Sequence, residues 1–370
     1  MDGNLERWDT VVIGGGQAGL ATGYHLKRRG VSFVILDEQA NVGDAWRTRW
    51  DSLRLFTPAW LDGLPGMPFP ARRWDFPTKD EMADYLVEYV ERFELPIRTG
   101  VTVERLERHD GSFSMTTNRG PIVADRVIVA TGANRVPKVP PFAADLDPAI
   151  VQMHSSEYRN PSQLRSGRAL VVGVGNSGAE IALELAGTHR TILAGKPAGQ
   201  IPVRHGTPAA RIGFRVFRAF GHHVVTKRTP IGRRLLSKLL THADPLVRTR
   251  IKDLLAAGVE RVGRVTEVRD GLPVVEDGST VRTDNVIWCT GYRRDFPWID
   301  LPIFDEDGRP IHDRGVVREV PGLAFVGLVG QYSLSSDVLP GRLRDAGWAV
   351  DQIVTTVPTE PSFLTGAAAR

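Results

Sequence analysis

The 370-residue sequence predicts an α/β protein assembled from two copies of one strand–turn–helix–strand unit. Two observations carry this. A glycine-rich turn of the same pattern occurs at 14–19 and again at 173–178, and each copy is followed downstream by an apolar strand ending in Thr-Gly. In the first copy, 10–16 (TVVIGGG) is an apolar strand running into glycine. Residues 17–30 (QAGLATGYHLKRRG) have a helical pattern closed by Gly30, and 31–37 (VSFVILD) form a buried strand ending in an acid. The second copy repeats this order in 168–175 (RALVVGVG), 176–187 (NSGAEIALELAG) and 190–194 (RTILA). The closing strands are 121–136 and 283–297.

These units are Rossmann-like dinucleotide-binding folds. At roughly 100–200 residues per domain the length allows two. The expected division puts the first domain at 1–157 and 285–370, with the second, 158–284, inserted into it. Within the insertion, 204–252 carries twelve Lys/Arg against one acid, Asp244, and its apolar residues recur at helical spacing in RVFRAF and RRLLSKLL. It reads as a lid, a site for an acidic substrate, an amphipathic surface touching lipid, or a solvated helical face. Residues 56–77, rich in proline and aromatics, read as an ordered loop, and 341–356 as a terminal helix.

Composition narrows the function classes. The single cysteine, Cys289, excludes an intramolecular disulfide framework, a CxxC redox pair and a multi-cysteine metal site within these residues. No apolar stretch approaches the ~20 residues of a membrane helix, and the opening MDGNLERWDT has no apolar signal core, so the expected location is cytoplasmic. No metal site is expected. A net charge of +4 comes with no nucleic-acid recognition motif, so no nucleic-acid partner is expected.

The first turn, Gly14-Gly15-Gly16-Gln17-Ala18-Gly19, fits G-x-G-x-x-G between a strand and a helix. Its first glycine allows the tight turn, its second a close approach of pyrophosphate, and its third the packing of helix on strand. Eighteen residues beyond Gly19 stands Asp37, suited to ribose hydroxyls, with Glu38 as the alternative. The second turn, Gly173-Val174-Gly175-Asn176-Ser177-Gly178, has Lys196 at that spacing. A carboxylate repels a 2′-phosphate and a cation attracts it. The first site is therefore expected to take FAD and the second NADPH, with Arg190 and Arg204 assisting Lys196.

The paired turns with matching Thr-Gly strands resemble the two-dinucleotide-domain flavoproteins of glutathione-reductase-like fold, and more narrowly the class B flavin monooxygenases. Val42 to Arg47 resembles their G-G-x-W-R segment, Leu53 to Pro70 their proline-rich loop, Ala130-Thr131-Gly132 and Cys289-Thr290-Gly291-Tyr292 their two A-T-G strands, and Gly173 to Leu185 their G-x-G-N-S-G-x-E-I-A turn. Of the family's F-x-G-x-x-x-H-x-x-x-(Y/F) fingerprint, the half from His154 to Tyr158 is intact. Ala144 replaces the glycine after Phe142, and the spacer is longer. The resemblance gives His154 a part in shaping the domain junction. It places Trp46, Arg47 and Thr57 toward the flavin, and Asn176, Ser177 and Lys196 toward NADP. It extends the cofactor contacts to Val103, Gly291, Gly327 and Gln331.

The expected activity is NADPH-consuming, FAD-dependent oxygenation of a small organic substrate, a soft nitrogen or sulfur nucleophile or a carbonyl, through a flavin peroxide, with Arg47, Thr57 and Asn176 as catalytic candidates. Dioxygen and that substrate are the expected partners, and a homodimer stays open. The alternatives are an NADPH-dependent flavoprotein reductase without oxygen insertion and a non-catalytic redox-sensing protein binding both cofactors.

Overall fold

A computed structural model describes residues 5–133, 135–197, 199–239, 245–293 and 295–356. Asp244 lies outside them. The first sheet runs in the order Ile97–Arg98, Phe33–Leu36, Glu6–Ile13, Ile122–Val129, Ser112–Thr117, Val103–His109. The pairings Glu6–Ile13 with Phe33–Leu36 and with Ile122–Val129 are parallel. The strand Leu323–Phe325 pairs in parallel with the second half of Ile122–Val129, whose first half holds the antiparallel meander. Val11, Val12, Val34, Ile35, Val127 and Ile128 are all buried. Parallel strands covered on both faces need such unbroken apolar runs. The first strand begins at Glu6, earlier than the sequence suggests, because its pairing with Ile122–Val129 starts there.

The second sheet is parallel throughout, in the order Glu260–Val262, Arg190–Ala194, Arg168–Val172, Asn285–Trp288, Val151–His154. Val151–His154 and Asn285–Trp288 therefore belong to this sheet. The expected boundaries at 157/158 and 284/285 cut across it, because the closing strand of the second glycine fold pairs directly with Arg168–Val172. The two chain crossings between the sheets pair with each other, Val136–Pro137 antiparallel to Tyr292–Arg293.

The first glycine-turn helix, Gln17–Lys27, packs against the C-terminal helix Leu339–Thr356, and both feed one apolar core. Buried Arg126 fastens that helix to the first sheet. Its guanidinium pairs with Asp9 and donates to the Ile353 carbonyl at 3.2 Å. The loop expected at 56–77 is ordered by the Tyr85 hydroxyl, which accepts from the Leu64 amide and donates to the Met67 carbonyl, both at 2.6 Å. The basic segment is helical over Pro208–His223, Pro230–Leu239 and Ile251–Ala256.

Removing one partner of a buried ion pair strands the other charge. Arg126→Ala is expected to lower unfolding stability by about 3–5 kcal/mol. Denaturant titration beside the parent protein checks this, and a loss under about 1 kcal/mol contradicts it.

Candidate functional site

The two glycine turns share one geometry. A methyl group on Gly14 would lie 2.5 Å from the Ala130 carbonyl oxygen, and one on Gly19 1.8 Å from the Gly14 oxygen. The corresponding approaches at Gly173 and Gly178 are 2.3 Å to the Cys289 oxygen and 1.9 Å to the Gly173 oxygen. At the middle glycines, Gly16 and Gly175, nothing lies within 4 Å. The outer glycines are thus required by the protein's own packing, whereas the middle ones border open space.

The helices that follow share a second feature. Gly16 caps Gln17–Lys27 and Gly175 caps Asn176–Leu185, with no side-chain cap and no acid in the first turn. The helices Lys79–Arg92 and Pro208–His223 begin instead on Thr78 and Thr207, whose hydroxyls accept first-turn amides. Uncapped amides at a helix start, with the positive end of the dipole behind them, form an anion site.

A cavity of about 590 Å³ joins both turns. It is lined by Gly14, Gly16, Gln17 and Ala18, by Asp37 and Glu38, by Trp46 and Thr57, by Val103, and by Ala130, Thr131 and Gly132. At its other end are Asn176 and Ser177. Asp37 is buried, accepts from the Gln39 amide at 3.3 Å, and burial raises its pKa. Glu38 is occupied by Arg135 at 3.0 Å, which leaves Asp37 to face the cavity. The Trp46 indole donates to Gln17 at 3.3 Å and ties the short helix Asp44–Arg47 to the first turn.

Several candidates sit elsewhere. Arg47 is turned away from the cavity, donating to the Val42 carbonyl and to Asp84, each at 2.7 Å. At 100° per residue on this short helix, Trp46 and Arg47 cannot face the same way. Arg49 lines the cavity in its place and donates to the Tyr292 hydroxyl at 2.6 Å. The fully buried Gln331 side chain accepts from the Gly327 amide at 3.0 Å and donates to the Arg314 carbonyl at 3.0 Å, so it pins a loop outside the cavity. A methyl group on Gly327 would lie 3.4 Å from the Ala18 side chain, and Gly291 supplies a carbonyl to the crossing. Arg190 opens its strand, opposite the glycine-turn end, and pairs with Glu260 at 2.7 Å. Arg204 is exposed ahead of Pro208–His223 and outside the cavity lining. Lys196 stands just beyond the second strand's tip but pairs with Glu276 at 2.8 Å. The Asn176 side chain is engaged at both ends, accepting from the Val247 amide at 2.8 Å and donating to the Pro245 carbonyl at 3.2 Å.

His154 fixes the crossing. The Ser156 amide donates to Nδ1 at 3.1 Å, so Nδ1 carries no proton and Nε2–H donates to the Gly291 carbonyl at 3.1 Å. Burial lowers its pKa, consistent with a neutral ring. Tyr158 donates to Glu184 at 2.7 Å, away from the cavity.

Sequence reasoning missed two carboxyls. Glu180 lines the cavity beside the second turn, and burial outweighs Arg248, 3.4 Å away, to raise its pKa to about 7. Its place in G-x-G-N-S-G-x-E was the available signal. Asp62 is fully buried and accepts from the Thr57 hydroxyl, while its Oδ2 has no partner among the described residues. Desolvation raises its pKa to about 8. No sequence motif marks it. Among the described residues no cluster of His, Cys, Asp and Glu could hold a metal ion.

Residues 11–212 match the pyridine nucleotide-disulphide oxidoreductase family. The chain belongs to that family. It is 40% identical to an uncharacterised CzcO-like oxidoreductase of Geobacillus kaustophilus over 94% of this chain and 98% of that protein. It is 29% identical to the indole-3-pyruvate monooxygenase YUCCA1 of Oryza sativa subsp. japonica over 90% and 91%. A flavin-containing monooxygenase from Stenotrophomonas maltophilia superposes with a TM-score of 0.75 at 28% identity, covering 95% of this chain and 99% of that one. The chain is an oxidoreductase of this two-dinucleotide fold, similar to flavin monooxygenases. In this sequence the dithiol of the family name has no counterpart, since Cys289 is alone and burial pushes its thiol up to about 12.

Asp62 gives the site a pH signature. Between its unfolded value near 4 and about 8, the folded chain holds a proton that the unfolded chain has released, so this group's contribution to stability falls as pH rises through that window. Asp62→Asn is expected to flatten the decline of melting temperature between about pH 5 and 9. A slope equal to the parent's would contradict a neutral Asp62.

Proposed function

We propose that this chain is an FAD-dependent, NADPH-consuming monooxygenase acting on a small organic molecule. The observation that carries the reading is the single cavity lined by both glycine turns, each opening onto an uncapped helix start. When bound, FAD supplies acceptance of a hydride from the nicotinamide and activation of dioxygen. The residues present fit that pair of ligands. The first-turn amides beyond Gly16 receive the FAD pyrophosphate, and Asp37 accepts the ribose hydroxyls that offset its burial. Trp46, tied to Gln17, and Thr57, whose hydroxyl donates to Asp62, would line the part of the cavity that holds the flavin. Beyond Gly175, the amides of Asn176 and Ser177 receive the NADPH pyrophosphate, while the Asn176 side chain fastens 245–247 over that end. Enclosure by the 53–57 loop excludes water from the reacting region.

The substrate class is a soft nitrogen or sulfur nucleophile or a carbonyl. The rice relative, named for indole-3-pyruvate, supports the carbonyl branch. The test is aerobic turnover with isotopically labelled dioxygen over a panel of amines, sulfides and 2-oxo acids. Label in the product at close to one atom per NADPH supports oxygen insertion. NADPH oxidation that yields only hydrogen peroxide or a reduced acceptor, across the whole panel, replaces the proposal with a reductase.

The Lys196–Glu276 pair sets the cofactor preference in this account. A 2′-phosphate must compete with Glu276 for the lysine, and a solvent-exposed ion pair is a weak competitor. Glu276→Gln is expected to lower the KM for NADPH by roughly twofold to fivefold, and Lys196→Asp to raise it by at least as much, with NADH little changed. Unchanged NADPH-to-NADH selectivity in both variants removes Lys196 from the site.

A further inference from the structure

The basic segment has an amphipathic helix whose apolar side is left exposed. In Pro208–His223 and its cap, Ile212, Val216, Phe217, Phe220 and Val224 fall within an arc of about 140° at 100° per residue. Arg211, Arg215 and Arg218 fall on the opposite side. Ala210, Phe214 and Gly221, between the two arcs, face the protein, and the exposed arginines reach from beside them over the neighbouring loop. Arg211 and Arg215 lie over Trp74, 5.4 and 5.7 Å from its ring centroid, and Arg218 lies 5.3 Å from that of Trp60. Phe214 packs toward Phe76 and His205, and His205 in turn bonds to the Phe56 carbonyl at 2.9 Å. The apolar side faces outward, with Ile212 64% and Val216 60% exposed.

The next helix, Pro230–Leu239, adds exposed Ile231 and Leu235. Seven of the thirteen large exposed apolar residues among the described residues thus fall between 212 and 235. A patch this concentrated on a soluble surface marks an interaction site.

Charge decides what covers it. Residues 204–239 contain nine Lys/Arg and no Asp or Glu. Arg228, Arg233 and Arg234 are exposed beside the apolar residues of the second helix. Against a second copy of the same patch these cations would face one another. An anionic lipid surface offers both a headgroup layer for the cations and an apolar layer for the side chains between them.

We propose that Pro208–His223 and Pro230–Leu239 form a peripheral docking surface for anionic lipid bilayers, with Phe217 and Phe220 inserted into the interface and Arg228, Arg233 and Arg234 on the headgroups. This stands independently of the oxygenation reading. Because the inner side of the same helix holds the 56–76 loop, docking sets that loop next to the bilayer.

The test is co-sedimentation of the flavin-loaded full chain with phosphatidylcholine vesicles, alone or with about one third phosphatidylglycerol. Binding is expected to be roughly tenfold stronger on the anionic vesicles and to fall with added salt. Phe217→Ser with Phe220→Ser is expected to abolish it at unchanged flavin absorbance and NADPH oxidation, and Arg228→Glu with Arg233→Glu to remove the preference for anionic vesicles. Absence of binding, equal binding to neutral vesicles, or binding that survives the serine pair overturns the proposal. So does a parent dimer that the serine pair converts to monomer without any vesicle binding, which assigns the patch to a second copy.

Discussion

The helices that follow the two glycine turns begin with amides that no side chain among the described residues caps. A helix start has orphan N–H groups, and an uncapped start with no anion nearby forgoes stabilisation of about 0.5–2 kcal/mol. The protein caps Lys79–Arg92 and Pro208–His223 with threonine, so the bare starts after Gly16 and Gly175 are a local choice. Strand packing forces glycine at both flanks of each turn, and only the middle glycine borders free space. The requirement for a phosphate at each start shapes the cavity between them, and everything else positions that cavity.

What keeps the two starts on one cavity is the double crossing of the chain. Val136–Pro137 and Tyr292–Arg293 pair as short strands, and His154 bonds across to Gly291 from a buried, neutral ring. A protonated ring would lose the acceptor that the Ser156 amide uses, so the junction favours one tautomer. The arginine side of Pro208–His223 braces the loop over the cavity from outside.

The glycine turns, Asp37 and the closing strands were legible in the sequence because short covalent spacings fix them. Asp37 follows from counting along one strand, whichever way distant segments pack. Arg47 was misplaced because its direction depends on the rotation of a four-residue helix and on Asp84, far along the chain. Gln331 stands outside the cavity lining for a similar reason: its side-chain amide is engaged by loop backbone that the pattern does not specify. The partner of Lys196 lies in a hairpin eighty residues later, beyond any spacing argument. The sequence showed the basic segment to be amphipathic, but that its apolar side is left exposed while its arginines reach over Trp60 and Trp74 depends on distant contacts the periodicity does not mention.

The most direct measurement is an anaerobic titration of the flavin-loaded chain with NADPH, followed by flavin absorbance. Two dinucleotides meeting in one cavity predict bleaching at one NADPH per flavin, and loss of that bleaching at unchanged flavin content when Gly175 is replaced by a bulky residue such as valine. A flavin that stays oxidised under excess NADPH, or bleaching indifferent to the Gly175 replacement, would contradict a shared cavity.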